Sequence, residues 1–184
     1  MTSQEIVLTA LTAVERTGID YMVVGALAVN CYTFARTTKD ADFLLGVKMG
    51  GIEEVAKHLP ASFIIDPQPR MELITGSYRW IVNVVGSDFC VEMFHLSEDA
   101  HHREEFTRRR QASLSSIGRI IWVPSAEDLV IQKLRWARSK DLDDARNIIA
   151  VQADALDFAY IEKWCRVHET WERFEEIRRS IPEI

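Results

Sequence analysis

The apolar residues of this chain change their period at Pro124. Before it, short apolar runs bounded by Gly, Pro, Asp or Ser stand between a few stretches of helical spacing. After it, apolar residues recur every three to four positions almost to the end. Such a chain needs a sheet to bury the runs and helices to cover the sheet. The expected class is α+β: a mixed sheet flanked by helices over residues 1–123, then a helical C-terminal part over 124–184 packed on it. Pro124 marks either a boundary between two units or a change of architecture inside one.

The spacing predicts helices over Ser3–Arg16, Ala26–Phe34 and Ile52–Leu59. Strands are expected over Asp20–Gly25, Asp40–Leu45, Ser62–Asp66, Met71–Ile74, Tyr78–Val85, Asp88–Leu96 and Arg119–Val123. Val85-Gly86-Ser87-Asp88 reads as a hairpin turn. Ser125-Ala-Glu-Asp128 opens a helix with a capping-box-like start. That helical pattern runs to Asp154 with a break near Ser139–Asp141, followed by helices over Phe158–His168 and Trp171–Ser180. Trp80, Trp122 and Trp136 read as core.

With 184 residues and 47% hydrophobic content, the chain fits one domain and does not read as disordered. No apolar run reaches the roughly 18 residues of a membrane span, so no membrane partner is expected. Glu5 and Glu15 give the start the look of an amphipathic helix instead of a signal peptide. Cys31, Cys90 and Cys165 form no CxxC, so a cysteine zinc site and a disulfide framework are not expected, and the default compartment is a reducing cytoplasm. The net charge of −6 argues against extended DNA binding. Arg108-Arg-Arg110 reads as a solvated basic face, with an RNA contact as the sharper alternative.

The strongest chemical signal is Asp40-Ala41-Asp42. On a strand, i and i+2 share a face, so both carboxylates could converge on divalent cations, the usual device for in-line phosphoryl displacement. Ala41, Phe43 and Leu45 would point the other way. Alone, such a pair is more often solvated. Three features add to it. The strand ending at Gly25 runs into a small-residue helix at Ala26, an opening for a phosphate to approach the backbone. Glu92 is a single acid inside the apolar run Asp88–Leu96, and needs a partner or solvent. Lys133 sits on the apolar stripe of Leu129, Val130, Leu134 and Ala137, where an ammonium seeks an anion or snorkels to water.

With these residues in order, the chain resembles the DNA-polymerase-β-like nucleotidyltransferase superfamily, in particular its small prokaryotic AbiEii-like branch. The likeness rests on Val23-Val24-Gly25-Ala26, Arg36-Thr37-Thr38-Lys39-Asp40-Ala41-Asp42, Glu92, Glu127-Asp128-Leu129, Lys133-Leu134 and Arg138-Ser139-Lys140-Asp141-Leu142-Asp143-Asp144. It covers about residues 19–150. It implies a nucleotidyltransferase-type sheet and transfer of NMP from an NTP to a hydroxyl on RNA, protein or a small molecule. It further implies Mg2+ or Mn2+ on Asp40, Asp42 and Glu92, with Glu92 able to act as base. Gly25, Ala26, Arg36, Thr38, Lys133, Asp141 and Asp144 would serve the nucleotide and its phosphates, with Asp141 or Asp144 otherwise pairing with Lys133 or Arg138, and Arg36 otherwise only closing its loop. Asp141 alternatively caps the following helix. A toxin role with an antitoxin protein as partner also follows from the branch. Ala26 stands where Ser or Gly is usual and Glu92 where Asp is, departures that a catalytically degraded nucleotide- or partner-binding module would share.

Overall fold

The computed structural model describes residues 1–47 and 51–181. The main sheet holds β1 (Tyr21–Val24), β2 (Asp40–Leu45), β3 (Phe63–Ile65), β4 (Arg70–Met71), β5 (Tyr78–Val84) and β6 (Cys90–His95). Its order is β1-β2-β6-β5-β3, with β4 also on β5. The β2–β6 pair is parallel and the others are antiparallel. A mixed sheet flanked by helices was the expectation, and it forms. The hairpin expected at Val85–Asp88 joins β5 to β6, with Gly86 at φ 75° in the left-handed region.

Alternation decides the two faces of β2. Ala41, Phe43 and Leu45 are fully buried in the main core. Helix α1 (Ser3–Thr17) adds Ile6, Ala10, Leu11 and Val14 to that core, and Thr2 and Glu5 close its first turn as a capping box. Asp40, Asp42 and the Glu92 face of β6 look the opposite way, toward α5 (Ala126–Trp136) and α6 (Ser139–Gln152). The buried cluster that contains Phe43 and Val91 also contains Leu134, Ile148, Ile161 and Phe174. The C-terminal helices α5, α6, α7 (Phe158–Val167) and α8 (Trp171–Arg179) therefore share one core with the sheet.

Several boundaries differ from expectation for local reasons. The helix expected over Ala26–Phe34 is α2, Gly25–Val29. The chain turns after it because the Asn30 side chain bonds the backbone of Arg36 on both sides, donating to its O at 2.9 Å and accepting from its N at 3.0 Å. The strand expected over Met71–Ile74 is confined to β4: Glu72 bends the next residues into a turn by accepting from the N of Ile74 and Thr75. The break expected near Ser139–Asp141 falls at Ala137, φ 53°, and Arg138. Asp141 lies inside α6, whose N-cap is Arg138, so the capping reading of Asp141 is corrected. The helix expected over Ile52–Leu59 is shorter, α3 (Gly51–Ala56). Trp122 is 37% exposed and Trp136 only partly buried, so neither is core; Trp80 is.

Two elements carry no apolar period and went unanticipated. One is α4 (Ala100–Thr107), capped by Asp99 accepting from the N of His102 at 2.9 Å. The other is β7 (Arg110–Leu114), which with β8 (Arg119–Val123) forms a separate two-stranded ribbon. What fixes α4 is polar. Fully buried Asp128 accepts from the Tyr160 hydroxyl at 2.7 Å and the Ser125 hydroxyl at 2.7 Å, with His101 Nε2 at 3.2 Å and Arg108 Nε at 3.3 Å. Burial alone would raise the Asp128 carboxyl, but these bonds outweigh it and hold it low. The basic run is spent in such pairs: Arg108 on Asp128, Arg109 on Asp20 at 2.8 Å and Arg110 on Glu127 at 3.4 Å. Tyr160→Phe removes one buried donor and is expected to cost about 1–2 kcal/mol, measured as a lower urea midpoint at unchanged m.

Candidate active site

One open cleft of about 1000 Å³, counting its mouth, lies between the sheet and the α5–α6 pair. Every expected site residue except Asp144 lines it: Gly25, Ala26, Arg36, Thr38, Asp40, Asp42, Glu92, Lys133 and Asp141. Asp144 stands behind the wall and is 2% exposed.

The carboxylates come together through strand register. Asp42 on β2 faces Glu92 on parallel β6 and Val24 on β1. Asp40 lies two residues earlier on the same face and accepts from the Thr38 hydroxyl. Gly25 closes this corner. Its φ is 63°, and a Cβ there would come within 1.9 Å of Asp42 Oδ2. No side chain fits between the β1–α2 junction and the Asp42 carboxyl. The requirement for glycine at position 25 is therefore steric as well as conformational. Ala26, 6% exposed, packs beside it at the start of α2.

Enclosure, then the charges of Asp40 and Glu92, push the Asp42 carboxyl up to about 8. By surface area Asp42 is only partly buried, but its carboxyl is the part held against Gly25. Three carboxylates with too little positive charge among them make a site that favours a cation. The donors are hard oxygens, which suit Mg2+ or Mn2+. Among the described residues no three His, Cys, Asp or Glu side chains close into a metal-holding group. An open set fits Mg2+, which keeps several waters and commonly takes one or two carboxylates plus substrate phosphates.

The wall opposite is a row of alternating charges. Arg36 forks onto Asp144, Nε at 2.8 Å and Nη2 at 2.7 Å. Lys133 Nζ sits between Asp144 at 2.8 Å and Asp141 at 3.0 Å. Arg138 closes the row on Asp141 with Nε at 2.5 Å. Burial would raise both aspartates, but the arginines and Lys133 hold them below the usual carboxylate range. Lys133 is 8% exposed and engaged on both sides, while the Arg36 and Arg138 side chains are 36% and 51% exposed at the row's ends. Asp144→Asn leaves Lys133 and Arg36 without their shared anion. The expected cost is about 1–3 kcal/mol, read as a fall in melting temperature that Asp143→Asn, on the exposed side of α6, does not reproduce.

Sequence reasoning missed Arg79, which lines the cleft and donates from Nη1 to Glu92 Oε2 at 2.7 Å. It also missed Lys140 and Trp136 on the rim, and Gln132 and Glu105 deeper in. Gln132 donates to Glu105 at 2.8 Å, and burial raises the Glu105 carboxyl well above its usual range.

A mixed sheet that aims two β2 carboxylates and one β6 carboxylate into a cleft, beside a glycine-tight strand–helix junction, is the nucleotidyltransferase fold. Solved structures agree. ANT(2")-Ia in complex with adenylyl-2"-tobramycin superposes with a TM-score of 0.65 at 12% identity, over 94% of this chain and 99% of that one. A putative nucleotidyltransferase from H. pylori gives 0.52 at 13% identity, over 95% and 79%. An antigenic nucleotidyltransferase-like protein from Paracoccidioides brasiliensis gives 0.50 at 14%, over 97% and 93%. No family model and no curated protein sequence matches the chain. At these identities the likeness establishes the fold.

Proposed function

We propose that the protein is a Mg2+- or Mn2+-dependent nucleotidyltransferase that moves NMP from an NTP such as ATP to an acceptor hydroxyl. The observation that carries this is the placement of Asp40, Asp42 and Glu92 on one face of β2 and β6, with Gly25 cleared of any side chain against Asp42. Asp40 and Asp42 would hold the metal with Glu92 completing the set, and the metal would offset charge on the triphosphate. Arg36, Arg138 and Lys140 are cations on the cleft lining that would meet the phosphates. Asp144 holds Arg36 and Asp141 holds Arg138, while Lys133 bridges the two aspartates. Gly25 and Ala26 let phosphate oxygens approach the backbone, and Thr38 orients Asp40.

The acceptor oxygen attacks the α-phosphorus, and the bond from that phosphorus to the bridging oxygen breaks. Pyrophosphate leaves with the bond pair. The hydroxyl proton passes to the Glu92 carboxylate. The structural neighbour in complex with adenylyl-2"-tobramycin supports a small-molecule acceptor over a macromolecule. Incubation with each NTP, Mg2+ and a panel of small hydroxyl compounds tests this: a mass gain of one NMP on a compound is expected. Modification confined to RNA or protein would overturn the acceptor class. The toxin role rests on the sequence resemblance. It predicts growth arrest on expression of the wild type and none with Asp40→Ala; harmless wild-type expression would remove it.

A further inference from the structure

We propose that Arg79 is a positioning residue that competes with the metal for Glu92, so that the carboxylate site binds divalent cations weakly until nucleotide arrives. The inference rests on the functional reading above and adds to it a residue that neither the sequence motifs nor the fold assigns.

Strand geometry makes the contact. In the β5–β6 hairpin Ile81 lies opposite Glu92, and Arg79 lies opposite Phe94. Arg79 is thus the diagonal neighbour of Glu92 on the cleft face, within reach of a long side chain. Its Nη1 stands 2.7 Å from Glu92 Oε2, with 29% and 16% of the two side chains exposed. A charge-assisted bond at that distance and partial burial is among the stronger polar contacts in a protein. Glu92 faces Asp42 directly across β2–β6. Of the three carboxylates, it is the one with an ion pair at contact distance among the described residues.

The consequence is a competition for one carboxylate. A metal that takes Glu92 must displace the guanidinium from Oε2. Asp40 and Asp42 alone form an incomplete set, in keeping with the absence of a closed metal group among the described residues. A triphosphate supplies the missing oxygens and offers Arg79, which lines the same cleft, a second anion to move to. The pair therefore links metal binding to nucleotide binding and keeps the site from holding metal without substrate.

The test is Mn2+ titration of the full chain without nucleotide, followed by electron paramagnetic resonance of free Mn2+. Arg79→Gln is expected to tighten Mn2+ binding about tenfold by removing the competitor. Lys57→Gln removes an exposed cation that pairs with Glu54 outside the cleft, and is expected to change affinity less than about twofold. In the presence of a non-hydrolysable NTP the gain in Arg79→Gln should shrink, because nucleotide has already released Glu92. Unchanged or weaker Mn2+ binding by Arg79→Gln overturns the inference. So does an equal gain in Lys57→Gln, which would show a net-charge effect only. A chain that transfers nucleotide while Arg79→Gln binds Mn2+ like wild type keeps the function and loses the latch. A chain inert in transfer while Arg79→Gln binds more tightly keeps the latch and loses the function.

Discussion

Asp42→Asn is expected to raise the stability of the metal-free protein while abolishing nucleotidyl transfer. Folding raises this carboxyl from 3.8 to about 8, so between those values the folded state holds a proton that the unfolded chain has released. Stability then falls as pH rises from about 4 and levels off above about 8. The asparagine variant lacks this slope. Its advantage over wild type should be absent near pH 4 and complete above pH 8. It should reach about 2 kcal/mol, well below the full shift because Asp42 keeps some exposure to the cleft. Thermal melts across that range measure it, with a gain of about 5 °C expected at the alkaline end. Saturating Mg2+ should narrow the gap, since a cation stabilises the wild-type carboxylate alone. Transfer should drop by about a thousandfold or more, as a neutral amide replaces a charged metal ligand. A variant less stable than wild type at alkaline pH would contradict the repulsion that defines the site.

Gly25→Ala should be the most damaging single-methyl addition to the chain. Two costs combine. The left-handed φ of 63° disfavours any L side chain by about 1–2 kcal/mol. The new Cβ would also lie 1.9 Å from Asp42 Oδ2 and 2.9 Å from its Cγ, so the carboxyl must move. The expected loss is about 2–4 kcal/mol, with transfer abolished because Asp42 is displaced. Combining Gly25→Ala with Asp42→Ala removes the carboxyl that clashes and leaves a Cβ contact of 3.3 Å. The double variant should therefore be more stable than the sum of the two single effects predicts. By contrast, Gly76→Ala, with φ 70° and nothing within 4 Å, should show the conformational cost alone. Equal losses at positions 25 and 76 would mean that the Asp42 contact contributes nothing.

The contrast between what the sequence displays and what it hides follows from range. Asp40 and Asp42 share a face because a strand alternates, and Phe43 between them must then enter the core; both facts are local. That Glu92 meets Asp42 depends on β2 pairing with β6 in parallel, across fifty residues, and no local pattern sets that register. Arg79 was within reach. A turn at Val84–Ser87, closed by the N of Ser87 donating to the O of Val84, joins the hairpin, whose register places Ile81 opposite Glu92 and Arg79 on its diagonal. The expectation gave Glu92 the metal and the acceptor proton, and the structure adds the bond from Arg79. Lys133 reads as a cation in search of an anion, and it has two, Asp141 and Asp144. Helix spacing brings all three onto facing surfaces only once Ala137 turns the chain between α5 and α6. Helix α4 was illegible for another reason. Ala100–Thr107 buries His101, His102 and Glu105 through hydrogen bonds to Ser97, Asp128 and Gln132, so hydropathy gives no periodic signal.

Nucleotidyl transfer moves the α-phosphoryl group and releases the β and γ groups together, and isotopic position in the NTP reads this out directly. With Mg2+ and a competent acceptor, α-labelled NTP should leave label on the acceptor and γ-labelled NTP should yield labelled pyrophosphate. Asp40→Asn and Asp42→Asn should do neither. Label passing to the acceptor from the γ position, or transfer by Asp42→Asn at the wild-type rate, would contradict the assignment of this cleft as a nucleotidyltransferase site.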